Sequence, residues 1–146
     1  MAVVGLCNTL SKEGAKRGIH VNVIAPFAAS RMTETVMTPD MLERIKPEYI
    51  APFTCYLCSE QCESNGSVFE VGGGWAAQVK YQRAGGHGFD LNNLELENLH
   101  ENWSKVTDFD SAPTDYPQFA GDAFVHILKH LEGQGLGVPK GAKSKM

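Results

Sequence analysis

The sixteen residues "SKEGAKRGIHVNVIAP", Ser11 to Pro26, constrain this chain most. They predict the end of a helix, a glycine stop and a buried strand. The helix runs from Ala2 to Gly18, with Val3, Leu6, Cys7 and Leu10 spaced by three and four to form one apolar stripe. Lys16 and Arg17 suit a last helical turn, and Gly18 can take the left-handed conformation that ends one. Ile19, Val21, Val23 and Ala25 then alternate with His20, Asn22 and Ile24 in a β-branched run that stops at Pro26. Helix, short turn, strand is one half of a parallel βαβ unit, so the chain is expected to be α/β with helices covering a parallel sheet.

The next segments extend that pattern. Thr38 can cap a short helix that has Pro39 first and Asp40 in its first turn. "KPEYIAPFTCYLCSEQC" predicts a second long helix with Ile50, Phe53, Leu57 and Cys58 inward and Pro52 tolerated early. Asn65-Gly66 ends it, Ser67–Val71 forms a strand, and "AAQVKYQRAGG" continues as an extended piece. Gly72, Gly73 and Gly74 follow a strand but precede more extended sequence, which does not suit a phosphate loop. From about residue 91 the chain turns polar and acidic. Leu91, Leu94, Leu99, Trp103 and Val106 mark one surface helix, and Phe119, Phe124, Ile127, Leu128 and Leu131 another, joined by "DSAPTD". "GVPKGAKSKM" reads as a basic, mobile tail. The expected organisation is an α/β part over 1–90, a helical extension over 91–133 and a flexible tail over 134–146. Two or three strands are too few for a doubly wound sheet and leave an open edge. The expectation is that a preceding half is absent.

Composition excludes several classes. Of 146 residues, 13 are Lys or Arg and 17 are Asp or Glu, a formal charge of -4 that argues against a nucleic-acid partner. No apolar run suits a membrane span, and the first residues lack a secretory pattern. Cys7, Cys55, Cys58 and Cys62 are expected to be free thiols of a reducing compartment.

"NTLSKEGAKRGIHVNVIAP", then "MT", "PEYIAP", "YLC" and "FEVGGGW", resembles the C-terminal half of the short-chain dehydrogenase/reductase family. "IHVNVIAPFAASRMTETVM", the stretch through "SVFEVGGGW" and a later "WSKVTDF" narrow the likeness to the (3R)-hydroxyacyl-CoA dehydrogenase units of the type 2 peroxisomal multifunctional enzymes, the type 4 17β-hydroxysteroid dehydrogenases. The resemblance covers about residues 2–133, and is looser beyond Ala76. Phe27 stands where most of the wider family has Gly after the proline, and the loop to "SRMT" is one residue shorter. The family implies the C-terminal part of a Rossmann-like, doubly wound parallel sheet binding NAD, with added helices. It implies an acyl-CoA substrate in the complete enzyme and a homodimer paired through the opening helix and the cysteine-bearing one. The family's proton chemistry uses a Tyr-x-x-x-Lys pair and a Ser, and its pyrophosphate sits on a Gly-x-x-x-Gly-x-Gly turn. Neither motif occurs in these 146 residues, so no catalytic residue is assigned. The choice of NAD over NADP is made outside them.

Within the resemblance, the loop after the first strand carries the cofactor-binding candidates: Pro26, Phe27, Ala28, Ser30, Met32 and Thr33. A strand ending at the C-terminal edge of a parallel sheet delivers its loop to the ligand crevice; the plainer reading is a strand-to-helix turn with a capping hydroxyl. Arg31 faces solvent or an acyl-CoA phosphate. Cys55, Cys58 and Cys62 share a helical face, as zinc ligands would, but no His is near in sequence, so small packed residues is the preferred reading and no metal is expected. His126 and His130 are four apart without a third ligand, which suits a surface pair; His87 is a loop residue. Trp75 is a core or dimer-interface aromatic, or else a substrate platform. Ser144, Lys145 and Met146 form a variant of the peroxisomal Ser-Lys-Leu address, read by an import receptor. The expected function is a truncated oxidoreductase of peroxisomal fatty acid β-oxidation, inactive and poorly folded alone. The alternative is a non-catalytic dimerisation module.

Overall fold

A computed structural model describes residues 1–118 and 121–136, and the candidates Phe119, Ser144, Lys145 and Met146 lie outside the described residues. The chain divides into two compact units, Met1–Lys80 and Tyr81–Met146.

The first unit opens with helix α1, Ala2–Ala15. It ends three residues before Gly18, in the glycine turn the sequence predicts. Gly18 is left-handed, with φ +68°, and the Ile19 N–H returns to the Gly14 carbonyl at 3.1 Å. The face that packs differs from the expected apolar stripe. Cys7, Ser11 and Gly14 are buried, whereas Val3, Leu6 and Leu10 are 64%, 58% and 40% exposed. Small residues win because main chain approaches here. The Cys7 thiol donates to the Val21 carbonyl at 3.2 Å, and a Cβ on Gly14 would lie 2.9 Å from Ile19 Cβ.

Strand β1, Val23–Pro26, pairs in parallel with β2, Val68–Gly72, in the register Val23↔Val68 to Pro26↔Val71. β1 starts later than Ile19 because the preceding residues are committed to the loop ahead of β2. Asn65 Oδ1 accepts from the Val21 N–H at 2.9 Å, and Asn22 bridges from the Ser64 carbonyl at 2.8 Å to the Ser67 N–H at 3.2 Å. The extended piece after Gly74 is β3, Trp75–Val79, which turns back antiparallel to β2. Its turn residues Gly73 and Gly74 have φ +56° and +82°, the two left-handed positions of a tight hairpin. The sheet order is β1-β2-β3.

Helix α2, Pro39–Arg44, follows Thr38 as expected, although the Thr38 side chain makes no capping bond. The expected second long helix is instead a 3-10 turn, Pro47–Tyr49, followed by the short α3, Ala51–Leu57. Pro52 has no N–H to offer the Glu48 carbonyl, so a single helix cannot run through it. Ile50, Phe53 and Leu57 are half-buried and Cys58 is exposed, not inward. Val71, Cys7, Cys62 and Ser11 are buried side chains, each no more than 4% exposed.

The second unit holds a 3-10 turn, Leu91–Asn93, and helices α4, Leu96–Val106, and α5, Gly121–Gly133. Asp90 caps the turn through the Asn92 N–H at 2.9 Å. Asp108 accepts from the Asp110 and Ser111 N–H groups at 2.9 and 2.8 Å, and from the Ser111 hydroxyl. Arg83 and Asp115 pair as an isolated antiparallel bridge.

Candidate functional site at the end of the first strand

The parallel pairing of β1 with β2 defines a C-terminal edge, and the six cofactor candidates stand there in sequence. Phe27 adds one rung past the strand, its N–H donating to the Val71 carbonyl at 2.8 Å. The chain then leaves the sheet directly over Gly72, where a Cβ would come within 2.7 Å of the Phe27 carbonyl oxygen. Only glycine permits this exit. The Ala29 N–H donates to the Ile45 carbonyl at 2.8 Å, tying the loop to the end of α2.

Ser30 and Thr33 then close the loop on itself. The Thr33 hydroxyl accepts from the Ser30 N–H at 2.7 Å and donates to the Ser30 carbonyl at 2.9 Å. The Ser30 hydroxyl is held more loosely, 3.4 Å from both the Thr33 N–H and the Thr33 hydroxyl. Met32 caps the 3-10 turn Thr33–Thr35 and is 84% exposed, and Phe27 is 54% exposed. Pro26 and Ser30 are exposed, Ala28 and Thr33 half-buried, and Arg31 faces solvent.

The structure therefore brings Pro26 to Thr33 together as one braced loop. Thr33 is its brace, and Ser30 carries its looser hydroxyl. A cavity of about 520 Å³ lies under the loop, lined by Ala25, Pro26, Phe27, Ile45, Gly72 and Trp75. Sequence reasoning did not assign Ile45 or Gly72 to this place. The glycine run was their one local signal, since a third consecutive glycine beyond the two a hairpin needs implies a close backbone approach. Trp75, 59% exposed, shares this cavity instead of filling the core. Lys46, beside Ile45, is held by Glu43 at 2.5 Å, and that hydrogen bond raises its pKa.

The other singled-out residues lie elsewhere. Burial pushes the Cys7 thiol up, and all four cysteines are free. Among the described residues no His, Cys, Asp and Glu group could hold a metal. His126 and His130 form no joint site. His126 Nε2 lies 3.1 Å from Asp115 Oδ2, and His130 Nε2 lies 2.9 Å from the Phe89 carbonyl oxygen. His87 stacks edge-on against Phe89. No described helix is long and apolar enough to cross a membrane.

No family model matches the chain. A protein of Mycobacterium tuberculosis named as a short-chain type dehydrogenase/reductase is 42% identical over 112 residues, covering 77% of this chain and 39% of that one. The chain is thus a relative of short-chain dehydrogenases/reductases, with a mixed α/β fold of that kind. More specifically, it is similar to the peroxisomal multifunctional enzyme type 2 of mouse, at 42% identity over 140 residues, 93% of this chain and 19% of the relative. The full-length enzyme of that name from Drosophila melanogaster superposes with a TM-score of 0.76 at 32% identity, covering 90% of this chain and 24% of that structure. The chain thus spans about a fifth to a quarter of these two proteins. Relatives in Dictyostelium discoideum and Neurospora crassa are also named peroxisomal, which assigns this chain to the peroxisome.

Proposed function

We propose that the chain supplies the nicotinamide-side wall of the cofactor site in an NAD-dependent (3R)-hydroxyacyl-CoA dehydrogenase, and that it does not transfer hydride by itself. One observation carries this reading: the braced loop Pro26–Thr33 stands at the C-terminal edge of the parallel pair, where sheets of this kind receive ligands. The residues fit one end of such a cofactor. Pro26, Phe27 and Ala28 would present main chain to the carboxamide, and Met32 would lie beside it. The Ser30 hydroxyl, with its long contacts, is free to turn outward, while Thr33 fixes the loop's curvature. When bound, NAD supplies the hydride acceptor. The 146 residues offer no Tyr-x-x-x-Lys to take the alcohol proton and no glycine turn for the pyrophosphate.

The experiment is NADH fluorescence titration of the chain, alone and mixed with a polypeptide that carries the Tyr-x-x-x-Lys half of a relative. Saturable binding is expected only in the mixture, and a Ser30→Ala/Thr33→Ala double variant should weaken it about tenfold, the worth of one or two hydrogen bonds. Mixtures that never bind, or bind equally with the double variant, would contradict the assignment.

A second reading, a homodimerising module, is supported by the open apolar face of α1 at Val3, Leu6 and Leu10. Sedimentation should show a dimer that Leu6→Glu with Leu10→Glu converts to monomer; a wild-type monomer refutes it. We further propose that Ser144-Lys145-Met146 is the address an import receptor reads. Deleting these three residues should leave a fluorescent fusion outside peroxisomes, and unchanged import would refute that role.

A further inference from the structure

Asn65-Gly66 is the one Asn-Gly pair in the sequence, and the fold requires both residues. Asn65 Oδ1 accepts from the Val21 N–H at 2.9 Å, and its Nδ2 donates to the Ser11 carbonyl at 3.1 Å. One amide therefore joins the end of α1's buried line to the approach of β1. Gly66 donates its own N–H to the Val21 carbonyl at 2.8 Å. It is left-handed, with φ +72°, and a Cβ there would lie 2.9 Å from the buried Ser11 Oγ. No other amino acid suits position 66, and no other side chain of that length offers both a donor and an acceptor at 65.

This is also the dipeptide most open to spontaneous hydrolysis, because a glycine presents an unhindered backbone nitrogen to the asparagine before it. We propose that Asn65-Gly66 is a modification site guarded by the fold: intact while α1, β1 and the β2 approach are docked, and deamidated once they part. In the step, the Gly66 nitrogen loses its proton and attacks Asn65 Cγ. A new C–N bond closes a five-membered imide as the Cγ–Nδ2 bond breaks, and ammonia leaves with the proton. Water then opens either imide bond to give aspartate or isoaspartate, so the net change is one water consumed and one ammonia released. In the docked state the attacking nitrogen and both ends of the leaving amide are held by hydrogen bonds that the reaction must break.

The product cannot restore the lock. A carboxylate at 65 still accepts from Val21 but has no donor for the Ser11 carbonyl, and it adds charge beside a buried residue. Isoaspartate also inserts a carbon into the main chain where φ is already constrained. The modification therefore marks chains that have opened and prevents them from closing.

The test follows the deamidated fraction of the peptide containing Asn65 by mass spectrometry, in the full chain at mildly alkaline pH, with and without denaturing urea. Conversion is expected to be at least about tenfold slower without urea, because it must wait for local opening. Equal rates would overturn the proposal. Asn65→Asp provides a second readout. Its Gly66 amide should exchange with deuterium faster than in the parent chain, and unchanged protection would also overturn the proposal.

Discussion

Single polar side chains carry much of the order in this chain. Asn22 spans from the Ser64 carbonyl to the Ser67 N–H, fixing the start of β1 against the approach to β2. Asn22→Ala should lower stability by about 1–3 kcal/mol, because it leaves part-buried main-chain groups unpaired. Thermal melts followed by circular dichroism check this. In the second unit, Asp115 accepts from Arg83 Nε at 2.9 Å and from its terminal nitrogen at 2.5 Å, with His126 at 3.1 Å. The Arg83 hydrogen bond, helped by His126, holds the Asp115 carboxyl below its ordinary value of 3.8. A carboxyl depressed in the folded state stabilises fully above its unfolded pKa and loses that contribution as pH falls through the folded value. Melting of the second unit should therefore drop below about pH 4, and Asp115→Asn should flatten that acid limb. An unchanged limb in the variant would contradict the pairing. None of these partnerships was legible in the sequence, because residues between 11 and 45 positions apart meet only in the fold. What the sequence did show was local, such as the Gly18 stop and the Thr38-Pro39 helix start.

At the scale of elements, packing decided what periodicity could not. The stripe of Val3, Leu6, Cys7 and Leu10 is real, yet α1 docks through Cys7, Ser11 and Gly14. Its neighbour is main chain, and small residues admit it. The second long helix broke at its start for a reason visible in advance, the missing N–H of Pro52, and α3 also stops at Leu57, short of the expected end at Asn65-Gly66. The loop from Pro26 to Thr33 was legible as a stretch, since it follows a strand that ends at proline. Its bracing was not. The loop exits over Gly72, so Gly72→Ala should push the Phe27 carbonyl away and cost about 1–3 kcal/mol, as overpacking does. The same variant should lose NADH binding in the two-part mixture. A variant that melts and binds like the parent would show that the exit needs no glycine.

For the molecule as a whole, burial and chemistry lead to one conclusion. Apolar burial among the described residues centres on Cys7, Cys62 and Val71, while Leu6, Phe27, Tyr56 and Trp75 are each more than half exposed. Among the described residues the sheet has three strands, and β1 and β3 form its two edges. A sheet of this class is stable when both faces and its edges are covered. The fold class was legible because one helix–turn–strand unit suffices to declare a parallel pair. In the proposed function these residues carry the nicotinamide loop without the groups that take the proton and cradle the pyrophosphate. The most direct measurement is calorimetric titration of the 146-residue chain alone with NAD. No saturable binding is expected up to about 1 mM, an affinity weaker than about −4 kcal/mol. Stoichiometric, micromolar binding by the chain alone would contradict it.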